Sequence, residues 1–182
     1  MSWLSTILVL AAAYLAVFWE AAFPGFRHLL GAQIDLLPPL IVYAALGMNL
    51  AAVCVVAVCG GLWFDSLSAN PLGITILPLF AAGLVIYSGR EVVLRHQAFA
   101  QFVLGLAASA AVPIVTLTLL LTAGHPPLLG WGTIWQLLVV TLAGGAATPI
   151  IFILFESLER AFAHARVTQT SFRPDREIRR GR

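Results

Sequence analysis

Little in this chain of 182 residues can do chemistry: eight carboxylates, four histidines and two cysteines. Glu20 and Asp35 bracket one polar gap between apolar runs. Asp65 ends another run, in GGLWFDSLSANPLG (Gly60 to Gly73), and the other acids lie near Arg in polar segments. His28, His96, His125 and His164 are scattered among loops and helix ends, without HExxH spacing or an acidic partner at a fixed offset. No Gly-x-Ser-x-Gly elbow and no phosphate-cradling glycine loop occurs. Cys54 and Cys59 lie five apart, splayed to different faces of one apolar helix, and read as small hydrophobes. The expectation is a chain with no catalytic residue, no metal site, no cofactor and no nucleic-acid partner.

The elements that carry these groups are set by composition. The chain is 60% hydrophobic and 10% charged, with a mean hydropathy of +0.96, against roughly a quarter charged in soluble domains. This is an integral membrane protein, all-α, too short for several spans and a separate catalytic domain. All ten cations are Arg, and seven of them (Arg160, Arg166, Arg173, Arg176, Arg179, Arg180, Arg182) follow the last apolar run. That bias predicts a cytoplasmic C-terminus. Residues 1–162 read as a transmembrane bundle and residues 163–182 as a basic, disordered tail, suited to anionic lipid headgroups. The first segment has no basic leader or small-residue cleavage site and reads as a retained anchor.

A membrane-crossing helix needs about 20 apolar residues. Leu4 to Phe23, Phe99 to Ala123 and Ile134 to Phe155 meet this, and Leu72 to Tyr87 is slightly short. Leu36 to Phe64 is too long for one span and reads as two helices turning near Gly47-Met48-Asn49. The result is six helices, with five as the alternative if that region stays continuous. The positive-inside rule slightly favours five. Six is preferred because it places Trp19, Trp63, Trp131 and Trp135 together at the outer interface.

Small residues four apart (Gly60-Gly61, Gly105 with Ser109, and Ala143 to Thr148) predict close helix approach, either inside the bundle or against a partner's helix. Pro78, Pro113 and Pro149 fall inside predicted helices and predict kinks. Asp65 lies where the third helix leaves the hydrocarbon. Its side chain can accept from backbone N–H groups of the following loop, as a staple, or face a partner. Asn70 is held extended by Pro71, and Gly73 permits tight re-entry.

This stretch resembles the signature of the MreD family, small integral membrane proteins of the bacterial rod-shape system. The matching positions are Gly61, Asp65, the loop Ser66 to Pro71, and Leu72-Gly73 opening the next helix. Upstream, IDLLPPLIVYAAL, with Asp35 and Tyr43, is similar to the family's second helix. Downstream, ATPIIFILFESLERAF, with Pro149, is similar to its closing helix. The Pro38-Pro39 pair departs from the pattern and predicts a shortened or bent second helix. The resemblance implies a non-enzymatic scaffold of the bacterial inner membrane. Its partners would be an MreC-like protein and, through it, RodA and a penicillin-binding transpeptidase, with a link to MreB. It also implies a bundle similar to the substrate-binding subunits of vitamin transporters. The rival function is a small-molecule-binding subunit of a transporter, which requires a pocket with several convergent polar groups. An intramembrane enzyme stands third.

Overall fold

The computed structural model describes residues 3–22, 31–68, 70–91, 97–124 and 130–167, without the side chains of 3, 4 and 162–167. Among these there are six helices and no strand: α1 (Trp3–Ala22), α2 (Leu37–Gly47), α3 (Leu50–Leu67), α4 (Ile76–Gly89), α5 (Ala98–Thr122) and α6 (Trp131–Val167). Helices α1, α3, α5 and α6 are long and apolar enough to cross a membrane, while α2 and α4 are shorter apolar helices. The protein is a multi-pass membrane protein built as an all-α bundle.

The shortest helix is the hub. α2 has 11 residues, all buried, and packs against each of the other five helices. At 1.5 Å per residue it is about 16 Å long, roughly half the hydrocarbon thickness. Such a helix is stable at membrane depth only when protein encloses it, because lipid offers its end groups no hydrogen bonds. Its side chains Leu37, Ile41, Val42 and Tyr43 form the centre of the core with Val9, Val53, Val56, Leu79 and Phe152. The lipid-facing surface is apolar as well, with Leu15, Val85 and Ile153 at 62%, 70% and 65% exposure.

The division of residues 36–64 into two helices is observed. α2 stops at Gly47 and α3 starts at Leu50, where the Asn49 side chain caps the new helix by accepting from Ala52 N–H at 3.0 Å. Pro38 and Pro39 occupy the first turn of α2, which has 11 residues, and there a missing N–H removes no helical bond. Pro78 likewise falls in the first turn of α4, whereas Pro113 and Pro149 are inside α5 and α6. α4 begins at Ile76, so Leu72 and Gly73 do not open that helix as expected; they form the turn before it.

α6 outruns the expected Ile134 to Phe155. It runs through residue 162 to Val167, helped by the Glu156–Arg160 pair one turn apart at 3.4 Å. The basic tail beyond Val167 lies outside the described residues. So do His28, His96 and His125, and the side chain of His164.

The small-residue stripes are consumed inside the bundle. α5 and α6 run antiparallel, and each places a hydroxyl residue over the other's glycine: Thr148 over Gly105, and Ser109 over Gly144. A Cβ on Gly105 would stand 2.7 Å from Thr148 Cβ, and one on Gly144 2.6 Å from Ser109 Cβ. Gly60, Gly61, Gly105, Ser109, Gly144, Gly145 and Thr148 are all buried, so these faces are closed to a partner's helix.

Candidate functional site

Asp65 sits in the last turn of α3 and is 1% exposed. One carboxylate oxygen, Oδ2, accepts from Gly73 N–H at 2.8 Å and Thr75 N–H at 3.1 Å. The other, Oδ1, accepts from the Thr75 hydroxyl. Thr75 is the residue before α4 and is itself buried. The carboxylate therefore satisfies donors that the start of α4 would leave orphaned. One turn earlier on the same face, Gly61 lets the Ile76 backbone lie against α3, with Ile76 Cα 3.0 Å from the place of a Cβ. Gly73 adopts φ +91°, a left-handed conformation that favours glycine. Gly61, Asp65 and Gly73 thus make one closed unit joining α3 to α4. Of the two readings of Asp65, the staple is the observed one, and its side chain is not presented to a partner. Pro71 and Leu72 lie at the exposed tip of this turn, Leu72 at 71%.

Glu20 and Asp35 turn out to be caps as well. Pro38 and Pro39 remove two donors from the first turn of α2, leaving the N–H groups of Leu36 and Leu37. Glu20 Oε1 accepts the first at 3.1 Å and Asp35 Oδ1 the second at 2.8 Å. Two carboxylates also suit the positive end of the helix dipole. Burial pushes the Asp35 carboxyl up, to about 6, while the Leu37 N–H pulls the other way. At the opposite end of α2, Arg90 Nη1 donates to the Met48 carbonyl at 3.1 Å, and its guanidinium lies 4.2 Å from the Tyr87 ring centroid. The hub helix is held at both ends by charged groups from outside it.

Tyr43 is buried between Phe152 and Phe155, at ring-centroid distances of 5.0 and 4.6 Å. Its hydroxyl donates to Glu159 Oε1 at 3.5 Å, tying α2 to α6. Pro149 is half-buried inside α6, where its ring has no N–H to donate to the helix.

The Asp65 end also holds a cavity of about 240 Å³ that the sequence did not reveal. Gln33, Asp35, Asn70 and Thr75 border it on one side, and Val112, Pro113, Leu117, Leu120, Leu137 and Val140 supply the apolar walls. Gln136 pins the loop that forms its rim: Oε1 accepts from Gln33 N–H at 3.2 Å and Nε2 donates to the Gln33 carbonyl at 3.1 Å. Residues 33 and 136 are too distant in the chain for any local signal to pair them. Among the described residues no cluster of His, Cys, Asp and Glu could hold a metal ion.

Compared with known proteins, the chain matches no family, no curated protein and no solved structure.

Proposed function

We propose that this protein is a non-enzymatic scaffold subunit of a bacterial cell-wall elongation complex of the MreD type. In this reading it sits in the inner membrane with its C-terminus in the cytoplasm and the Asp65 end outside. It associates with an MreC-like protein, and through it with RodA and a penicillin-binding transpeptidase, while the arginine-rich tail rests on anionic lipid near MreB. The observation that supports the reading is the unit formed by Gly61, Asp65 and Gly73. The block that resembles the MreD signature is also one physical device, with the spacing of its residues accounted for by a single hydrogen-bonded joint.

Partner helices would dock on the lipid-facing rows, since the small-residue faces are occupied within the bundle. Association in lipid rests on packing with few polar contacts, each about 1 kcal/mol, so the joint would act by fixing the angle between α3 and α4. Asp65→Ala is expected to lower recovery of the MreC-like partner in membrane pull-downs when recovery is normalised to the amount of variant protein. Full recovery per molecule of the variant refutes the role of the joint, and failure of the wild-type chain to recover any elongation protein refutes the assignment.

A further inference from the structure

The cavity beside Asp35 has no part in the scaffold reading, yet it joins mostly apolar walls to a few polar groups, as a ligand site does. Gln136 and Thr75 are committed to the Gln33 backbone and to Asp65, which makes that side of the rim rigid. The carboxamides of Gln33 and Asn70 make no hydrogen bond among the described residues, and Asp35 uses Oδ1 on Leu37 N–H. Among the described residues Asp35 is the one charged residue in the lining, and Glu20 reaches the adjoining Leu36 N–H. An anion placed there would meet these two carboxylates, at a cost that grows with desolvation. A donor-rich cation meets acceptors, since each carboxamide can turn its oxygen toward it.

We propose that this cavity binds a small primary amine with an apolar body. Asp35 and the carboxamide oxygens of Gln33 and Asn70 hold the ammonium, and Leu117, Leu120 and Leu137 enclose the body. The volume of about 240 Å³ equals that of about eight waters at roughly 30 Å³ each. That suits an amine of about six carbons and is below the roughly 300–1,000 Å³ of drug-sized sites. An ethanolamine phospholipid carries the same ammonium but would bring its phosphate to Asp35 and Glu20, so the free amine is the occupant.

The test is equilibrium binding of radiolabelled hexylamine to the full chain in a maltoside detergent, competed by unlabelled hexylamine, hexanol and hexanoate. Saturable one-site binding is expected, with hexanol at least about tenfold weaker and hexanoate inactive, because a charge-assisted hydrogen bond is worth about a factor of ten or more. Asp35→Asn keeps an acceptor for Leu37 N–H and is expected to weaken hexylamine about tenfold. Leu120→Trp fills the apolar wall and is expected to abolish binding. The site is overturned if no saturable binding occurs or if it survives Leu120→Trp. The ammonium assignment is overturned if hexanol competes as well as hexylamine. Should Asp35→Asn fail to fold, the competition series and Leu120→Trp decide alone. Added phosphatidylethanolamine is expected to leave the affinity unchanged, and competition by it transfers the site to the lipid headgroup.

Discussion

Replacing Asp65 by Ala removes the acceptor of two backbone N–H groups and one hydroxyl, all supplied by Gly73 and Thr75. Thr75 is 2% exposed, so water cannot readily replace the carboxylate there, whereas Gly73 is only half-buried and can be rehydrated. A buried donor left unsatisfied costs about 1–3 kcal/mol. Charging the two Thr75 donors fully and discounting Gly73 gives about 2–6 kcal/mol. At about 2–4 °C per kcal/mol for a chain of this length, the lower bound predicts a loss of at least about 4 °C in melting temperature. The loss must also be local. Amide hydrogen exchange in detergent or nanodiscs should quicken at Gly73 and Thr75 before it does in α2, and Asp65→Asn, which keeps one acceptor oxygen, should fall between the two. A variant that melts within 2 °C of the parent, with both amides still protected, would refute the staple.

Three further outcomes follow from the same geometry. Gly61→Ala forces its Cβ to about 3.0 Å from the Ile76 backbone, which flexible side-chain movement cannot relieve. Overpacking of this kind costs about 1–3 kcal/mol, measurable as a lower melting temperature, and an unchanged value would mean that α3 and α4 are free to separate. Gly144→Val should destabilise more than Ala146→Val, because residue 144 faces Ser109 across the α5–α6 contact and residue 146 is exposed; equal losses would place the contact elsewhere. Asp35 titrates in the folded protein near 6 against 3.8 for the free side chain. A raised folded value means that the native state holds the proton more tightly than the unfolded chain. Its contribution to stability is therefore complete below about pH 4 and is lost as the pH rises through 6. The span of about 2 units sets a ceiling of about 3 kcal/mol, lowered by the part of Asp35 that remains in contact with solvent. The difference in melting temperature between wild type and Asp35→Asn should thus narrow or invert between pH 4 and 7. Glu20 lies beside Asp35 at this helix end, so the difference reads the two carboxylates as a pair. A constant difference would show that the pair does not titrate in this window.

The helices themselves were legible because their cause is local. Runs of apolar residues of a given length are seen directly, and the break at residues 48–49 shows in a run too long for one span and in an Asn placed to cap the second helix. The staple was half legible: an Asp in the last turn of a helix followed by a glycine turn has few other partners. The roles of Glu20 and Asp35 were not legible, although one signal was available. A Pro-Pro pair in a first helical turn leaves few free donors, and an Asp two residues before the first helical residue, Leu37, stands close enough to take one. Glu20 arrives from another helix, so its partner depends on how α1 lies against α2. The glycine stripes told which faces pack closely but not against what. That choice between an inner and an outer neighbour is settled only by the antiparallel pairing of Gly105 with Thr148 and of Ser109 with Gly144. The cavity rim, which needs Gln33 beside Gln136, had no local signal at all.

Ionisable groups in membrane segments invite a functional explanation because they are expensive there. In this protein the expense has a structural cause. A central helix half the thickness of the hydrocarbon ends against protein, where lipid offers its terminal groups no hydrogen bonds, and the prolines in its first turn only reduce the number of donors left over. Glu20, Asp35 and Arg90 supply what is missing at its two ends, and Asp65 does the same for α4, the other short helix. Short helices and buried charges are thus one design: each shortened span creates orphaned backbone groups, and each charge answers them. Two consequences bear on function. In the proposed scaffold role, the acids nearest the signature-like stretch would reach a partner only indirectly, through the positions of α2 and α4. And among the described residues the polar groups without a capping role at the Asp65 end are the carboxamides of Gln33 and Asn70 and the second oxygen of Asp35.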